Sequence, residues 1–289
     1  MAYPTQSPEL ALHNSCIEEL SLTLDGVRWR YQKAGAGQPL LLVHGLLGYS
    51  FSWRFALPAL ASSATVYAVD LPGAGFSGRP AGIDCSLRAI SRRLLDFMDE
   101  IGLACCDVLG TSHGGAVVMR AAAGAPERFR RLILVAPANP WSARGRFLSV
   151  LVSSPVLKPL FLELAPRLRF LHEFFLRRLY GDPRRMQPGT LEGYREPLLQ
   201  PGSMEYGLSI LHSWNRGMKE LETMLPRIAH IPTLLIWGSA DVAVDPASAN
   251  RLQRNFQNAR LITFNGVGHL PYEEVPEDFN RTVTEFLIS

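Results

Sequence analysis

The sequence predicts an α/β fold: a mostly parallel sheet covered by helices on both faces, with a helical segment inserted between two strands. Short, wholly apolar runs of strand length recur along the chain, separated by segments with helical periodicity. Such continuous apolar runs are typical of strands that are buried on both faces. Between residues 138 and 229 the alternation stops, prolines recur and helical patterns dominate.

The elements follow in order. Residues 1–16 have no clear pattern, and we expect them to form a loose arm. A hairpin is predicted next, because residues 18–24 and 27–33 alternate around the turn pair Asp25-Gly26. Helices are expected over 86–101 and 113–123, and strands at 40–43, 65–69, 107–110, 132–135, 233–237 and 259–264. The predicted core therefore comprises residues 1–137 and 230–289, and a helical cap comprises residues 138–229.

Composition limits the possible functions. With 289 residues and 47% hydrophobic content, the chain can bury one large core with an insertion, or two modest domains. A formal net charge of +3 without a basic run argues against nucleic-acid binding. The first residues do not resemble a signal peptide, and no apolar run reaches the roughly twenty residues of a membrane span. The cysteines show no metal-binding spacing and predict reduced thiols in a cytoplasmic protein: Cys16, Cys85, Cys105 and Cys106.

One motif points to nucleophilic catalysis. An apolar strand ends in Gly110-Thr111-Ser112-His113-Gly114, directly before a predicted helix. In a G-x-S-x-G turn the serine hydroxyl projects above the sheet, and the flanking glycines allow the strand and the helix to approach closely. Backbone N–H groups at the start of the helix then favour negative charge beside the serine.

Two partners for this serine follow downstream. Asp241 comes just after a buried strand that ends in Gly238, and His269 lies in a glycine-flanked loop after the next strand. The chain order Ser112, Asp241, His269 resembles that of the α/β-hydrolase superfamily, in its capped branch with a serine nucleophile. The resemblance extends from about residue 25 to residue 289 and implies a catalytic triad of these three residues.

A second motif of the superfamily follows the first buried strand. It reads His44-Gly45-Leu46, and the resemblance implies that the Leu46 N–H is one donor of an oxyanion hole. The other donor would be the N–H of His113, the residue after the nucleophile. We expect the His44 side chain to brace its loop, and the His113 side chain to line the pocket or pack in the core.

Other carboxylates are weighed against Asp241. Asp245 lies four residues further on, and because Pro246 follows it, it reads as the cap of a helix. Asp70 precedes a glycine-rich turn common in the superfamily and is interpreted as scaffolding near the pocket. The acid position that some relatives use after the preceding strand holds Asn139 and no carboxylate.

The resemblance implies acyl transfer without a metal or an organic cofactor, on a small-molecule substrate. We expect hydrolysis of carboxylic esters of small to medium lipophilic compounds. Hydrolysis of C–C bonds in meta-cleavage-type diketones remains an alternative, although Leu270 stands where that subfamily commonly has an aromatic residue. Perhydrolase activity is a third possibility, and a non-catalytic small-molecule receptor is the alternative from a different class. Dehalogenase or epoxide hydrolase chemistry is disfavoured, because those enzymes carry aspartate at the elbow. The basic cap also allows peripheral contact with an anionic membrane, but a solvated arginine face is the simpler interpretation.

Overall fold

The computed structural model describes residues 17–142, 162, 164 and 167–289. The predicted arm at 1–16 and part of the predicted cap lie outside these residues. One eight-stranded sheet forms the centre of the molecule, with the strand order β1-β2-β4-β3-β5-β6-β7-β8. Its strands are β1 (Glu18–Leu24), β2 (Val27–Ala34), β3 (Gln38–Val43), β4 (Ala64–Asp70), β5 (Cys106–Thr111), β6 (Phe129–Val135), β7 (Thr233–Gly238) and β8 (Ala259–Phe264).

The sheet is mostly parallel, which confirms the predicted fold class. β1 and β2 form the expected antiparallel hairpin, and β2 also runs antiparallel to β4. All other neighbouring strands are parallel. The carboxyl ends of β3, β4, β5, β6, β7 and β8 therefore meet at one edge of the sheet, where ligands bind in open α/β folds.

Helices cover both faces of this sheet. The helix predicted over 86–101 begins at Leu87, where the Ser86 side chain accepts the Ala89 N–H (3.2 Å) as a cap. The helices are α1 (Leu57–Leu60), α2 (Leu87–Glu100), α3 (Ser112–Gly124), α4 (Arg169–Arg178), α5 (Thr190–Leu198), α6 (Ser203–Met224), α7 (Ala247–Gln253), α8 (Pro271–Glu274) and α9 (Pro276–Ile288). Short 3-10 turns lie at Ser50–Trp53, Pro126–Arg128, Pro183–Arg185 and Leu225–Ile228.

Alternate residues of the central strands supply two separate hydrophobic clusters. In β3, Leu41 and Val43 join one cluster, whereas Leu40 and Leu42 join the other. The same alternation continues through the neighbouring parallel strands. Since both faces are covered, every residue of β5 and β7 is buried, as is typical of parallel strands that lie between two layers of helices.

Between β6 and β7 the described part of the chain forms helices and adds no strand to the sheet. We call this region the insertion. Its longest helix, α6, lies against the core: Gly207 faces the Leu47 side chain, and Gly217 faces Leu87. Among the described residues, no helix combines the length and the hydropathy that a membrane crossing requires.

Candidate active site

Ser112 lies at a sharp strand-to-helix bend. β5 ends at Thr111, α3 begins at Ser112, and Ser112 has a positive φ of 51°. A residue with a side chain pays about 1–3 kcal/mol for such a backbone conformation, which is found mainly at functional sites. The Ser112 carbonyl accepts the Ala138 N–H (2.8 Å), so the bend is anchored to the chain after β6.

The flanking glycines allow this bend to form. A Cβ at Gly110 would lie 2.8 Å from the carbonyl oxygen of Gly114. A Cβ at Gly114 would lie only 2.2 Å from the carbonyl oxygen of His44. Both contacts are too short for any side chain, so α3 starts directly against β5 and against the turn after β3.

The turn after β3 lies directly against the serine. A Cβ at Gly45 would lie 3.1 Å from the Cβ of Ser112 and 3.7 Å from its Oγ. The turn is closed by the Gly48 N–H, which donates to the Gly45 carbonyl (3.1 Å), and Leu47 has a positive φ of 58°. Within the described chain, neither the Leu46 N–H nor the His113 N–H donates to a protein acceptor.

His44 is fully buried and uses both ring nitrogens on the backbone. Its Nδ1 lies 2.8 Å from the Gly45 carbonyl oxygen, and its Nε2 accepts the Leu71 N–H (3.1 Å). These partners assign a neutral ring that carries its proton on Nδ1. Burial also lowers the pKa of His44. The geometry is that of a brace between the turn after β3 and the end of β4.

Asp241 and His269 are in contact at the same edge of the sheet. Asp241 follows β7 and His269 follows β8, and the His269 Nδ1 lies 2.7 Å from the Asp241 Oδ2. The other carboxylate oxygen accepts the N–H groups of Ala243 (2.7 Å) and Val244 (3.0 Å). Because the carboxylate accepts the Nδ1 proton, Nε2 is left as the basic nitrogen of a neutral ring.

The two rival acid positions have other partners. Asp245 accepts the Ala247 N–H (3.2 Å) at the start of α7. Because that helix begins at Ala247, its cap position is Pro246, one residue later than the predicted cap Asp245. The amide of Asn139 donates to the Pro137 carbonyl and to the Ser248 hydroxyl, both at 3.0 Å. Asp241 is the carboxylate that holds Nδ1 of His269.

His113 packs in the interior. Its side chain is 1% exposed, and its ring stacks on Trp214 of α6 with ring centroids 6.0 Å apart. Burial, with a smaller contribution from His44, lowers the pKa of His113 to about 3. The ring is therefore neutral at ordinary pH.

Asp70 organises the turn after β4. It is fully buried and accepts the Ser50 N–H (2.7 Å), the Phe76 N–H (3.0 Å) and an Nη of Arg30 (3.2 Å). These contacts tie the glycine-rich turn to β2 and to the turn after β3. The contacts of Asp70 are those of a scaffold residue.

Two buried carboxylates beside His269 were not anticipated from the sequence. Glu273 and Glu274 lie in α8, and both side chains are fully buried. Adjacent acidic residues before Pro276 read as the solvated start of a helix, which is the usual place for such residues. The partners that keep them inside are distant in sequence, so no local signal identifies them.

Glu273 links the core to the insertion. Arg54 donates to both of its oxygens, at 3.0 and 2.8 Å, and the Tyr180 hydroxyl donates at 2.6 Å. The Tyr194 hydroxyl also bonds to Glu273. One carboxylate therefore gathers an arginine of the core and two tyrosines of the insertion.

Glu274 links the insertion to the loop between β8 and α8 that carries His269 (residues 265–270), which we call the histidine loop. Its Oε2 accepts the N–H groups of Gly181 (2.8 Å) and Gly268 (3.0 Å). Its Oε1 accepts the Asp182 N–H (3.1 Å) and an Nη1–H of Arg185 (3.0 Å). Every acceptor site of this carboxylate faces a donor.

A family model and known proteins were compared with this chain, and the family match covers most of it. The family description "alpha/beta hydrolase fold" matches residues 38–276. An acetyltransferase component of the acetoin cleaving system from Cupriavidus necator is 28% identical, with 99% of this chain and 73% of that protein covered. A pimeloyl-[acyl-carrier protein] methyl ester esterase from Nitrosomonas europaea is 29% identical, with coverage of 86% and 95%.

A third relative is a 2-hydroxymuconate semialdehyde hydrolase from a Pseudomonas species, which is 26% identical with coverage of 99% and 97%. Among solved structures, Cfl2 from Burkholderia cenocepacia superposes with a TM-score of 0.83 at 21% identity and covers 99% of both chains. At that identity the likeness concerns the fold alone. Given the family match over most of the chain, the strand order and the bend at Ser112, this chain belongs to the α/β-hydrolase family.

Proposed function

We propose that this protein is a serine hydrolase that cleaves carboxylic esters through an acyl-enzyme. The observation that carries the proposal is the 2.7 Å contact between His269 Nδ1 and Asp241 Oδ2, at the sheet edge where Ser112 occupies its left-handed bend. Nucleophile, base and orienting acid then come from the ends of β5, β8 and β7. The site calls for no metal or organic cofactor.

The reaction would proceed in two steps. His269 Nε2 takes the proton of Ser112 Oγ as the oxygen attacks the ester carbonyl, and the N–H groups of Leu46 and His113 stabilise the oxyanion. His269 then gives the proton to the departing alkoxide, which leaves as an alcohol. Water repeats the sequence on the acyl-enzyme and releases the carboxylic acid. Asp241 holds the imidazole in the required tautomer and stabilises the imidazolium.

The insertion supports a capped, lipophilic site. It meets the core at the turn after β3, where Gly207 contacts Leu47, one residue beyond the proposed oxyanion donor Leu46. A helical cap over residues 138–229 would exclude water from the reacting ester and favour small to medium apolar substrates. The esterase relative, matched over 95% of its length, is consistent with ester chemistry.

Hydrolysis of C–C bonds is the second candidate. The observation that favours it is the match to the 2-hydroxymuconate semialdehyde hydrolase, which covers 99% of this chain. The same three residues could serve that reaction, so the site geometry alone does not discriminate. We favour ester hydrolysis because Leu270, and not an aromatic residue, follows His269.

A fluorophosphonate probe and a substrate panel test the proposal. We expect the probe to label Ser112, and p-nitrophenyl esters of graded chain length to turn over faster than a vinylogous diketone. Ser112→Ala should abolish labelling and nearly all turnover. Faster cleavage of the diketone would favour the second candidate. Wild-type protein that neither reacts with the probe nor turns over either substrate would instead support a receptor that binds without catalysis.

A further inference from the structure

Two adjacent N–H groups of the histidine loop are held from outside that loop. The Gly268 N–H donates to Glu274 Oε2 (3.0 Å), and the His269 N–H donates to the Leu179 carbonyl of the insertion (2.6 Å). The peptide groups that carry the His269 side chain are therefore fixed by α8 and by the insertion, in addition to the bond from its ring to Asp241.

The insertion and the histidine loop pack without any intervening side chain. A Cβ at Gly268 would lie 2.2 Å from the Leu179 carbonyl oxygen and 2.5 Å from the Gly181 nitrogen. A Cβ at Gly181 would lie 2.2 Å from the Gly266 carbonyl oxygen. Backbone therefore meets backbone, and a shift of residues 179–182 moves the loop that carries His269.

Glu274 is the only ionised group that joins these two backbones among the contacts described above. Its two oxygens receive three backbone N–H groups and one guanidinium, two donors on each oxygen. Because a carboxylate accepts only, it can satisfy four donors at once, and no neutral side chain of the same size can do so. The negative charge also compensates that of the half-exposed Arg185.

We propose that Glu274 is a positioning residue for His269, and that through it the insertion sets the position of the proposed general base. This inference rests on the proposed function, since it assumes that His269 acts on Ser112. It assigns to the insertion a part in proton transfer that is separate from contact with the substrate. Glu274 does not touch the reacting atoms and acts only through the loop.

Glu274→Gln is the direct test. In either orientation the amide NH2 group faces two donors, so the side chain has to withdraw from one pair, and the connection between the insertion and the loop is weakened. Small misplacements of a catalytic group cost up to about a hundredfold in rate. We expect kcat for a soluble p-nitrophenyl ester to fall about 10- to 100-fold while KM changes less than about threefold.

Glu273→Gln is the matched control. It changes the neighbouring carboxylate, which is equally buried and also holds the insertion, but whose bonds run to Arg54, Tyr180 and Tyr194 and not to the histidine loop. We expect it to lower Tm while kcat stays within about threefold of wild type. The low-field proton NMR signal of the His269 Nδ1–H should shift or broaden in Glu274→Gln and stay in place in Glu273→Gln.

The outcomes separate the two proposals. An unchanged kcat and an unmoved Nδ1–H signal in Glu274→Gln would overturn the positioning role, and so would an equal loss of kcat in both variants. If Glu274→Gln does not fold, Arg185→Gln, which removes the guanidinium donor to Glu274, tests the same role. A loss of kcat of threefold or more at constant KM supports the positioning role, and a smaller loss overturns it. Failure of wild-type Ser112 to react with a fluorophosphonate would reject the proposed function itself.

Discussion

The positions proposed for the triad follow from single residues whose neighbours constrain them. Ser112 and the glycines around it could be recognised from the sequence as a G-x-S-x-G motif. A Cβ at Gly114 would lie 2.2 Å from the His44 carbonyl oxygen, so only glycine fits there. Asp241 could be preferred to Asp245 as the acid because it lies closer in sequence to Gly238, where β7 ends. Its contact with His269 agrees with that choice. The positive φ of Leu47 could not be foreseen, since leucine gives no local signal for that conformation.

Asp241→Asn should lower kcat about 10³- to 10⁴-fold with little change in KM, by analogy with other triads. An asparagine amide that donates to Nδ1 would leave the ring proton on Nε2, where it cannot accept from Ser112. Asp245→Asn, which alters a contact at the start of α7, should keep kcat within a few-fold. Steady-state kinetics of both variants on one ester checks this, and the reverse ranking would reassign the acid.

His113 should make the fold less stable in acid. Burial holds the pKa of its folded state at about 3, against an ordinary value of 6.5. As the pH falls, His113 therefore binds a proton in the unfolded chain before it does so in the folded protein. The contribution of neutral His113 to the free energy of unfolding is fully present above about pH 6.5 and is lost progressively as the pH falls towards 3. Between pH 7 and pH 4.5 this histidine should account for about 2–3 kcal/mol of lost unfolding free energy.

Urea denaturation at several pH values measures this effect. His113→Met replaces the ring with an apolar side chain that does not titrate, so the variant should show a flatter dependence on pH over the same range. Equal slopes in wild type and variant would mean that His113 accepts a proton in the folded state as readily as in the unfolded one.

At the scale of elements, the strands were the easiest to predict. β3 and β7 are largely apolar and end at a turn or a motif. These two strands, β5 and β8 were each expected within about two residues of their observed bounds. The short helix α8 was missed, because its four residues are too few to show a periodic pattern. The order of strands in the sheet also has no local signal, since it depends on pairing between distant segments.

Two glycines of α3 should respond in opposite ways to alanine. Gly114→Ala places a Cβ against the carbonyls of Val43 and His44, at 2.5 and 2.2 Å, and should cost on the order of 3 kcal/mol. At Gly124, at the exposed end of the same helix, the nearest atom would lie 4.0 Å away. Gly124→Ala should therefore leave stability unchanged or raise it by up to about 1 kcal/mol. Thermal unfolding of both variants tests this, and a similar Tm for the two would contradict the packing argument.

At the scale of the whole molecule, the insertion and the core are joined through buried charge. The sequence predicted a helical region with an excess of arginine, and it could be read as a solvated basic face. In the described region several of these arginines have acidic partners: Arg169 with Glu192, Arg177 with Glu173, Arg184 with Asp182 and Arg185 with Glu274. The Arg169–Glu192 and Arg185–Glu274 pairs depend on tertiary proximity, whereas Arg177–Glu173 and Arg184–Asp182 join residues four and two positions apart. Composition alone therefore does not show which arginines are paired across the fold.

Arg54→Met tests the central link. It removes the guanidinium that pairs with the fully buried Glu273 and leaves a buried carboxylate without its cation, which typically costs 3–5 kcal/mol. Arg92→Met is the control, because Arg92 forms an exposed pair with Asp96 on α2, and its loss should leave the free energy of unfolding nearly unchanged. Chemical denaturation of both variants measures the difference. Equal losses would show that Glu273 does not depend on Arg54.

The order of the site residues along the chain has a consequence for biosynthesis. Ser112 precedes the insertion, whereas Asp241 and His269 follow it on β7 and β8. While the ribosome is still translating the insertion, the emerging polypeptide contains Ser112 but neither His269, its proposed base, nor Asp241. The proposed reactivity towards esters would therefore begin only after β7 and β8 have been synthesised and have joined the sheet.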